Sequence, residues 1–307
     1  MVAHRHRALS STTILGRKPS SSIDASFVSP LTRSRCLMSR ILAFGNNATG
    51  VLIPAGTHDL SDNPIRKPST TAHLTDAGRI LWHTWTCTVI SGGLHDCTSP
   101  SCSTNSTDSS RLQFWGTVPA RLTESCQSHT PLKFFGHDDI EGFLSQDGHL
   151  HDLEGAISSE TWADVAMDGL GRVYTADLVA IHQFDNISSA ISGRHESVIT
   201  HPALMGPIHL FALESRCFVA TDAHLFELEE NRLRLIEETE GFAFEVIPGR
   251  RNRLGIITNA GDAYVLDTRD KGLTPLEIDD DVRLLGLGSD FEVVVTQSKV
   301  LSRGCSE

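Results

Sequence analysis

A short apolar strand, a tight polar turn and a second apolar strand recur along the chain, and this recurrence restricts the fold more than any other feature. The clearest copy lies within Lys133–Leu153, where Gly142-Phe143-Leu144-Ser145 meets Gln146-Asp147-Gly148 and the chain returns through Leu150 and Leu153. Asp-Gly between apolar segments favours a hairpin because the tight turn needs positive φ. Further copies run from Cys217–Thr221 through Asp222-Ala223 into Leu225–Leu228, and from Leu254–Thr258 through Asn259-Ala260-Gly261 into Ala263–Leu266. Turn centres near Gly78, Ser110, Gly148, Leu178, Ala223, Gly261 and Lys299 are separated by roughly 30–45 residues, the period of a repeat array. A unit of this length made of short strands cannot bury its own faces, so it reads as a propeller blade.

The strand after each turn also occurs at Arg40–Gly45, in register with Arg79–Trp82 and Arg111–Gly116. Eight such strands enclose seven intervals. The expectation is an all-β, seven-bladed β-propeller spanning residues 38–307, with the strand near 40–45 pairing beside the last blade to close the ring and remove open sheet edges.

At 307 residues, with 39% apolar and 21% charged residues, the chain can bury a full core, and long 3.6-period runs are missing. No stretch approaches the roughly 20 apolar residues of a membrane helix, and no apolar block follows the early arginines as a secretory signal requires. Seven cysteines at unrelated spacings suggest free thiols in a reducing compartment. The tripeptides starting at Asn47, Asn105 and Asn186 are therefore read as chance matches to the glycosylation pattern. Cytoplasm, with the nucleus as a second site, is the expected location.

Residues 1–37 carry Arg5, Arg7, Arg17, Lys18, Arg33 and Arg35 against Asp24, a net of +5, so a chain of net charge −12 leaves −17 on the remainder. Such a body repels nucleic-acid phosphates and anionic membranes and attracts a basic partner. The basic, Ser-rich segment 1–37 reads as a disordered extension. A mitochondrial presequence is the alternative, since it has the same composition.

Ile41–Leu52, ILAFGNNATGVL, and Leu285–Thr296, LGLGSDFEVVVT, resemble the blade signature of the regulator-of-chromosome-condensation (RCC1-like) repeat family. Phe114-Trp115-Gly116 is a weaker match, and Val51 and Ile53 stand where that family usually has Gln and Gly. The short chain with eroded glycines is most similar to the alpha-tubulin-suppressor-like branch. That resemblance implies an accessory factor pairing with a small zinc-ribbon protein in diphthamide synthesis and Elongator-dependent tRNA wobble-uridine modification. The family pattern would continue past Ser302–Cys305, which implies an incompletely closed ring.

Acidic runs supply the candidate binding residues. His137-Asp138-Asp139-Ile140-Glu141 and Asp279-Asp280-Asp281 could form a negative rim that steers a basic partner, as could Glu227-Leu228-Glu229-Glu230 and Glu237–Glu240. Asp138, Asp139, Glu141, Asp279, Asp280 and Asp281 are taken as partner-binding, with Trp85 as an aromatic contact beside them. Trp82 is assigned to packing between blades.

Neighbouring carboxylates in a run offer no separated environments for acid–base catalysis. Gly286-x-Gly288 and Gly169-x-Gly171 lack the remainder of a dinucleotide fingerprint and read as turns. His149 and His151 share one strand face without a third ligand, and His95, Cys97 and Cys102 in the Ser91–Ser110 loop do not complete a metal set. The reading is therefore a non-catalytic interaction module, monomeric or heterodimeric, without cofactor, metal, nucleic acid or membrane. Nucleotide exchange on a small GTPase, with Ser91–Ser110 as the acting insertion, and an enzyme using the central channel are the alternatives.

Overall fold

The computed structural model describes residues 39–45, 65–74, 79–84, 86–92, 94–95, 112–222, 224–236, 244–249, 253–267, 272–288 and 291–304. The expected extension, residues 1–37, lies outside them. Strands β1 (Ser39–Gly45) and β2 (Ile65–Leu74) pair antiparallel. After β3 (Arg79–His83) and β4 (Cys87–Ser91), the two-residue β5 (Leu94–His95) returns to β2. Sheet β1-β2-β5 is therefore interleaved with the next sheet, which orders β3 and β4 before β6 (Leu112–Gly116). Helix α1 (Ala120–Ser128) follows.

From residue 131 the sequence settles into a regular meander. The second blade comprises β7 (Pro131–Gly136), β8 (Ile140–Ser145), β9 (His149–Asp152) and β10 (Ile157–Thr161). The third comprises β11 (Asp164–Met167), β12 (Val173–Ala176), β13 (Ala180–Phe184) and, after helix α2 (Ile187–Ile191), β14 (Ser197–Thr200). The fourth contains β15 (His209–Leu213), β16 (Arg216–Ala220), β17 (Leu225–Glu229) and β18 (Arg232–Leu235). The fifth contains β19 (Phe244–Pro248), β20 (Arg253–Thr258), β21 (Ala263–Asp267) and β22 (Gly272–Pro275). The last has three strands, β23 (Val282–Leu287), β24 (Phe291–Thr296) and β25 (Val300–Gly304).

First strands of successive sheets lie side by side, β3 against β7, β7 against β11, β11 against β15, β15 against β19 and β19 against β23. Five apolar clusters fill the five interfaces between these six sheets. Successive residues of one strand feed successive interfaces, because side chains alternate. Val219 enters the cluster between the third and fourth blades while Phe218 and Ala220 enter the next one. Leu144 and Phe143 divide in the same way. With both faces covered, a strand reads as an unbroken apolar run, and Cys217–Ala220 is buried throughout. Each large side chain so buried contributes about 1.5–3 kcal/mol.

The described residues thus form an all-β propeller with six blades rather than the expected seven. The count failed at Gly78. Segments on either side of it belong to different sheets, β2 pairing with β1 and β5 while β3 pairs with β4 and β6. The strand at 40–45 does not join the last blade either, since its hydrogen bonds go to β2. Pairing with a strand only about 20–30 residues away costs less loop-closure entropy than pairing across the whole chain.

Candidate interaction surface

Each meander starts at an inner first strand, so the turns joining first to second strands all emerge on one side of the sheets. Turns joining second to third strands emerge on the opposite side, together with the connections into the next first strand. This divides the acidic residues. Asp138 and Asp139 lie in the β7–β8 turn and Glu141 one residue into β8, all exposed. Asp279, Asp280 and Asp281 lie in the connection entering β23, at the other end of the inner strands. Strands of six residues, roughly 20 Å long, separate the two groups, so they form no common rim. Trp85 lies outside the described residues, as do Cys97, Cys102 and Glu237–Glu240.

On the first side, successive turns touch. Thr86 Oγ1 donates to Asp139 Oδ1 at 2.8 Å, a Cβ on Gly169 would stand 3.0 Å from the His137 ring, and Gly169 N donates to Glu214 O. Arg172 reaches Ser215 O at 2.7 Å. Carboxylates here project from a braced rim. Asp138 and Glu141 form no ion pair among the described residues, and Glu214 adds a further exposed acid.

On the opposite side, Asp280 is occupied by the neighbouring turn. Ser298 Oγ donates to its Oδ2 at 2.6 Å, which holds the Asp280 carboxyl below its usual range. Val282 N donates to Gly261 O at 2.9 Å. This cluster is therefore partly a joint between turns. Among the inner strands, Lys133 donates to Asp164 Oδ1 at 2.7 Å and to Leu210 O at 2.8 Å, while Leu210 N donates to Asp164 Oδ2 at 2.8 Å. That node ties three inner strands together.

Two acids behave differently from anything their sequence neighbours suggest. Asp168, 0% exposed, accepts from Leu170 N, Arg172 N, Arg172 Nε and Tyr174 OH. Glu227, expected in an acidic run of the rim, is instead 2% exposed and sits between Arg216 and Arg234. Burial raises its pKa, but the bonds from the two guanidinium groups outweigh that and hold it below the usual carboxylate range. Register was the signal available in the sequence, because a hairpin about Glu230-Asn231 places Glu227 opposite Arg234 and Glu229 opposite Arg232. A cleft of about 860 Å³ between the third and fourth blades is lined by Arg172, Tyr174, Gln183, Ser215 and Leu233 among others.

The histidines on β9 are hydrogen-bonded residues of the blade. His149 Nδ1 is 2.8 Å from Ser158 O. His151 Nε2 lies 3.2 Å from Ser145 Oγ, and its ring stacks on Phe143 at 4.6 Å. Burial, with His129 next to it, pushes the His151 pKa down to about 4. Ser145 directs its proton to Asp147 and the His149 carbonyl, so the His–Ser pair is not an activated nucleophile. Burial raises the thiols of Cys87 and Cys126 to about 11 and about 12, which makes them unreactive. Trp82 packs into the interface between the first two blades, as expected. Among the described residues no three His, Cys, Asp or Glu side chains are placed to share a metal, and no helix is long and apolar enough to cross a membrane.

No protein-family model matches the sequence, and no curated protein matches it. Several solved structures are similar to it in shape. Human WBSCR16 aligns over 84% of this chain and 82% of its own, at 12% identity and a TM-score of 0.45. The Cps50 (Swd1) β-propeller domain of Myceliophteria thermophila aligns over 54% of this chain and 62% of its own, at 12% identity and a TM-score of 0.37. The N-terminal domain of Nup159 aligns over 47% and 41%, at 14% identity and a TM-score of 0.37. The chain therefore spans less than two thirds of the last two. A β-propeller is a frame on which interaction surfaces are commonly built, and fold alone assigns no partner.

Proposed function

We propose that this chain is a non-catalytic interaction module, and that its first-turn side receives a small basic or zinc-ribbon protein. The observation that carries this reading is the exposed group Asp138, Asp139 and Glu141, presented from a rim whose turns brace one another. Exposed carboxylates that form no ion pair among the described residues attract a basic partner and lose that attraction in salt. The resemblance of Ile41–Leu52 and Leu285–Thr296 to RCC1-like repeats supports a more specific reading. In it the chain is an accessory factor in diphthamide synthesis and Elongator-dependent tRNA wobble-uridine modification.

Copurification of the full chain at low and moderate salt, with mass spectrometry of retained proteins, tests this. Recovery of a small zinc-ribbon protein, lost on D138N/D139N/E141Q substitution, is the expected result. Retention of a small GTPase instead, or of the same protein by the substituted chain, overturns it.

A further inference from the structure

Three buried polar atoms with no hydrogen-bond partner among the described residues occur on one face of the third blade. They are Trp162 Nε1, Thr175 Oγ1 and His182 Nδ1. Thr175 is 0% and Trp162 7% exposed. Thr175 and His182 are direct cross-strand partners on β12 and β13, so their side chains leave the same face. Val173 and Phe184, on that face, belong with Trp162 to the cluster between the second and third blades. The Trp162 ring lies 4.8 Å from the His182 ring, centroid to centroid.

Leaving a buried polar group without a partner is costly, and three at one place point to a shared ligand. Their chemistry restricts what that ligand is. His182 Nε2 lies 3.2 Å from Asp177 Oδ2, so in the neutral ring Nε2 carries the proton and Nδ1 accepts. Trp162 offers only a donor, and Thr175 can do either. The set therefore calls for a species that accepts from one indole N–H and donates to one imidazole nitrogen, with a further bond to a hydroxyl. A cation cannot accept from the indole, and an anion cannot donate to the imidazole. Water does both.

We infer that Trp162, Thr175 and His182 hold one buried water molecule between the second and third blades. Its consequence is mechanical. Asp177 Oδ1 accepts from Val179 N and Ala180 N at 2.7 and 2.8 Å, so the β12–β13 turn is tied through Asp177, His182 and the water to Trp162. Trp162 in turn donates its backbone N–H to Gly148 O at 2.7 Å in the second blade. The water thus links the second-to-third turns of two neighbouring blades by joining Trp162 to His182, whose side chains otherwise share no hydrogen bond.

A crystal structure of the full chain, refined at a resolution that orders internal water, tests the inference together with nitrogen-15 NMR of His182. The expected result is one water within hydrogen-bond distance of all three atoms, with the His182 proton on Nε2. T175S should retain the water, while T175V, which keeps the shape and removes the hydroxyl, should shift the Trp162 indole resonance. A direct Thr175–His182 bond with no water, or a proton found on Nδ1, overturns it. Both measurements on the unsubstituted chain decide the matter even where a variant fails to fold.

Discussion

The β7–β8 and β11–β12 turns occupy the same place in successive blades and use aspartate in opposite ways. In the third blade, Asp168 is fully buried and accepts four hydrogen bonds, two from the turn's own backbone and two from Arg172 and Tyr174. In the second blade, Asp138 and Asp139 are exposed, and only Asp139 is bonded to a neighbouring turn. Position in the fold therefore does not assign a role. What differs is the following residues. Gly171 at φ 83° lets the third-blade turn fold back over its aspartate, and Arg172 supplies the counter-charge, whereas the second-blade turn leads directly into β8 with Ile140 buried and Glu141 exposed. The same contrast separates Glu227, clamped by two arginines, from Glu141, which has none among the described residues.

The sharpest way to break this comparison is to remove each acid in turn. Asp168→Ala should cost about 3–5 kcal/mol, because it leaves Arg172 and two backbone donors without their acceptor, whereas Asp138→Ala should cost under about 0.5 kcal/mol. Urea denaturation of both variants measures the difference, and equal losses would erase the distinction. Glu227→Gln comes next, at about 2–4 kcal/mol, since one carboxylate serves Arg216 and Arg234 together.

Acid should act through His151. Its folded pKa of about 4 lies below the unfolded value of 6.5, so the unfolded chain binds more protons between those values. Stability is therefore full above about pH 6.5 and declines as pH falls toward 4, by about 2–3 kcal/mol for this group. His151→Phe should flatten that part of the pH–stability profile. A smaller effect than that of His151 belongs to Asp280→Asn, which weakens the charge-assisted bond from Ser298. Thermal denaturation would register it as a shift of a few degrees at most.

Which parts were legible in the sequence follows from what each strand faces. Turns at Gly148, Leu178 and Gly261 were found because polar, glycine-rich or aspartate-containing breaks interrupt apolar runs that are largely buried on both sides. Strand β2 was missed because Lys67-Pro68-Ser69-Thr70 carries neither period nor apolar residues, and proline is rare inside sheets. Without β2, residues 40–45 lacked a local partner and were assigned to ring closure, and the blade count rose by one. Outer strands such as β10 and β18 were equally quiet, being mostly exposed or half-buried. For the site, the sequence identified acidic runs but not which side each would occupy, because that depends on whether a run falls after a first strand or before one. Asp138 and Asp281 look alike in a list of residues and emerge at opposite ends of the inner strands.

Titration calorimetry of the full chain against a purified small zinc-ribbon protein, at low and moderate salt, tests the central claim most directly. D138N/D139N/E141Q should weaken binding by about tenfold at low salt, with a smaller loss at moderate salt, and should leave the thermal transition in place. Neutralising Asp279, Asp280 and Asp281 should leave the affinity unchanged. An affinity untouched by the first substitution set, or abolished by the second alone, would contradict the assignment of the binding side.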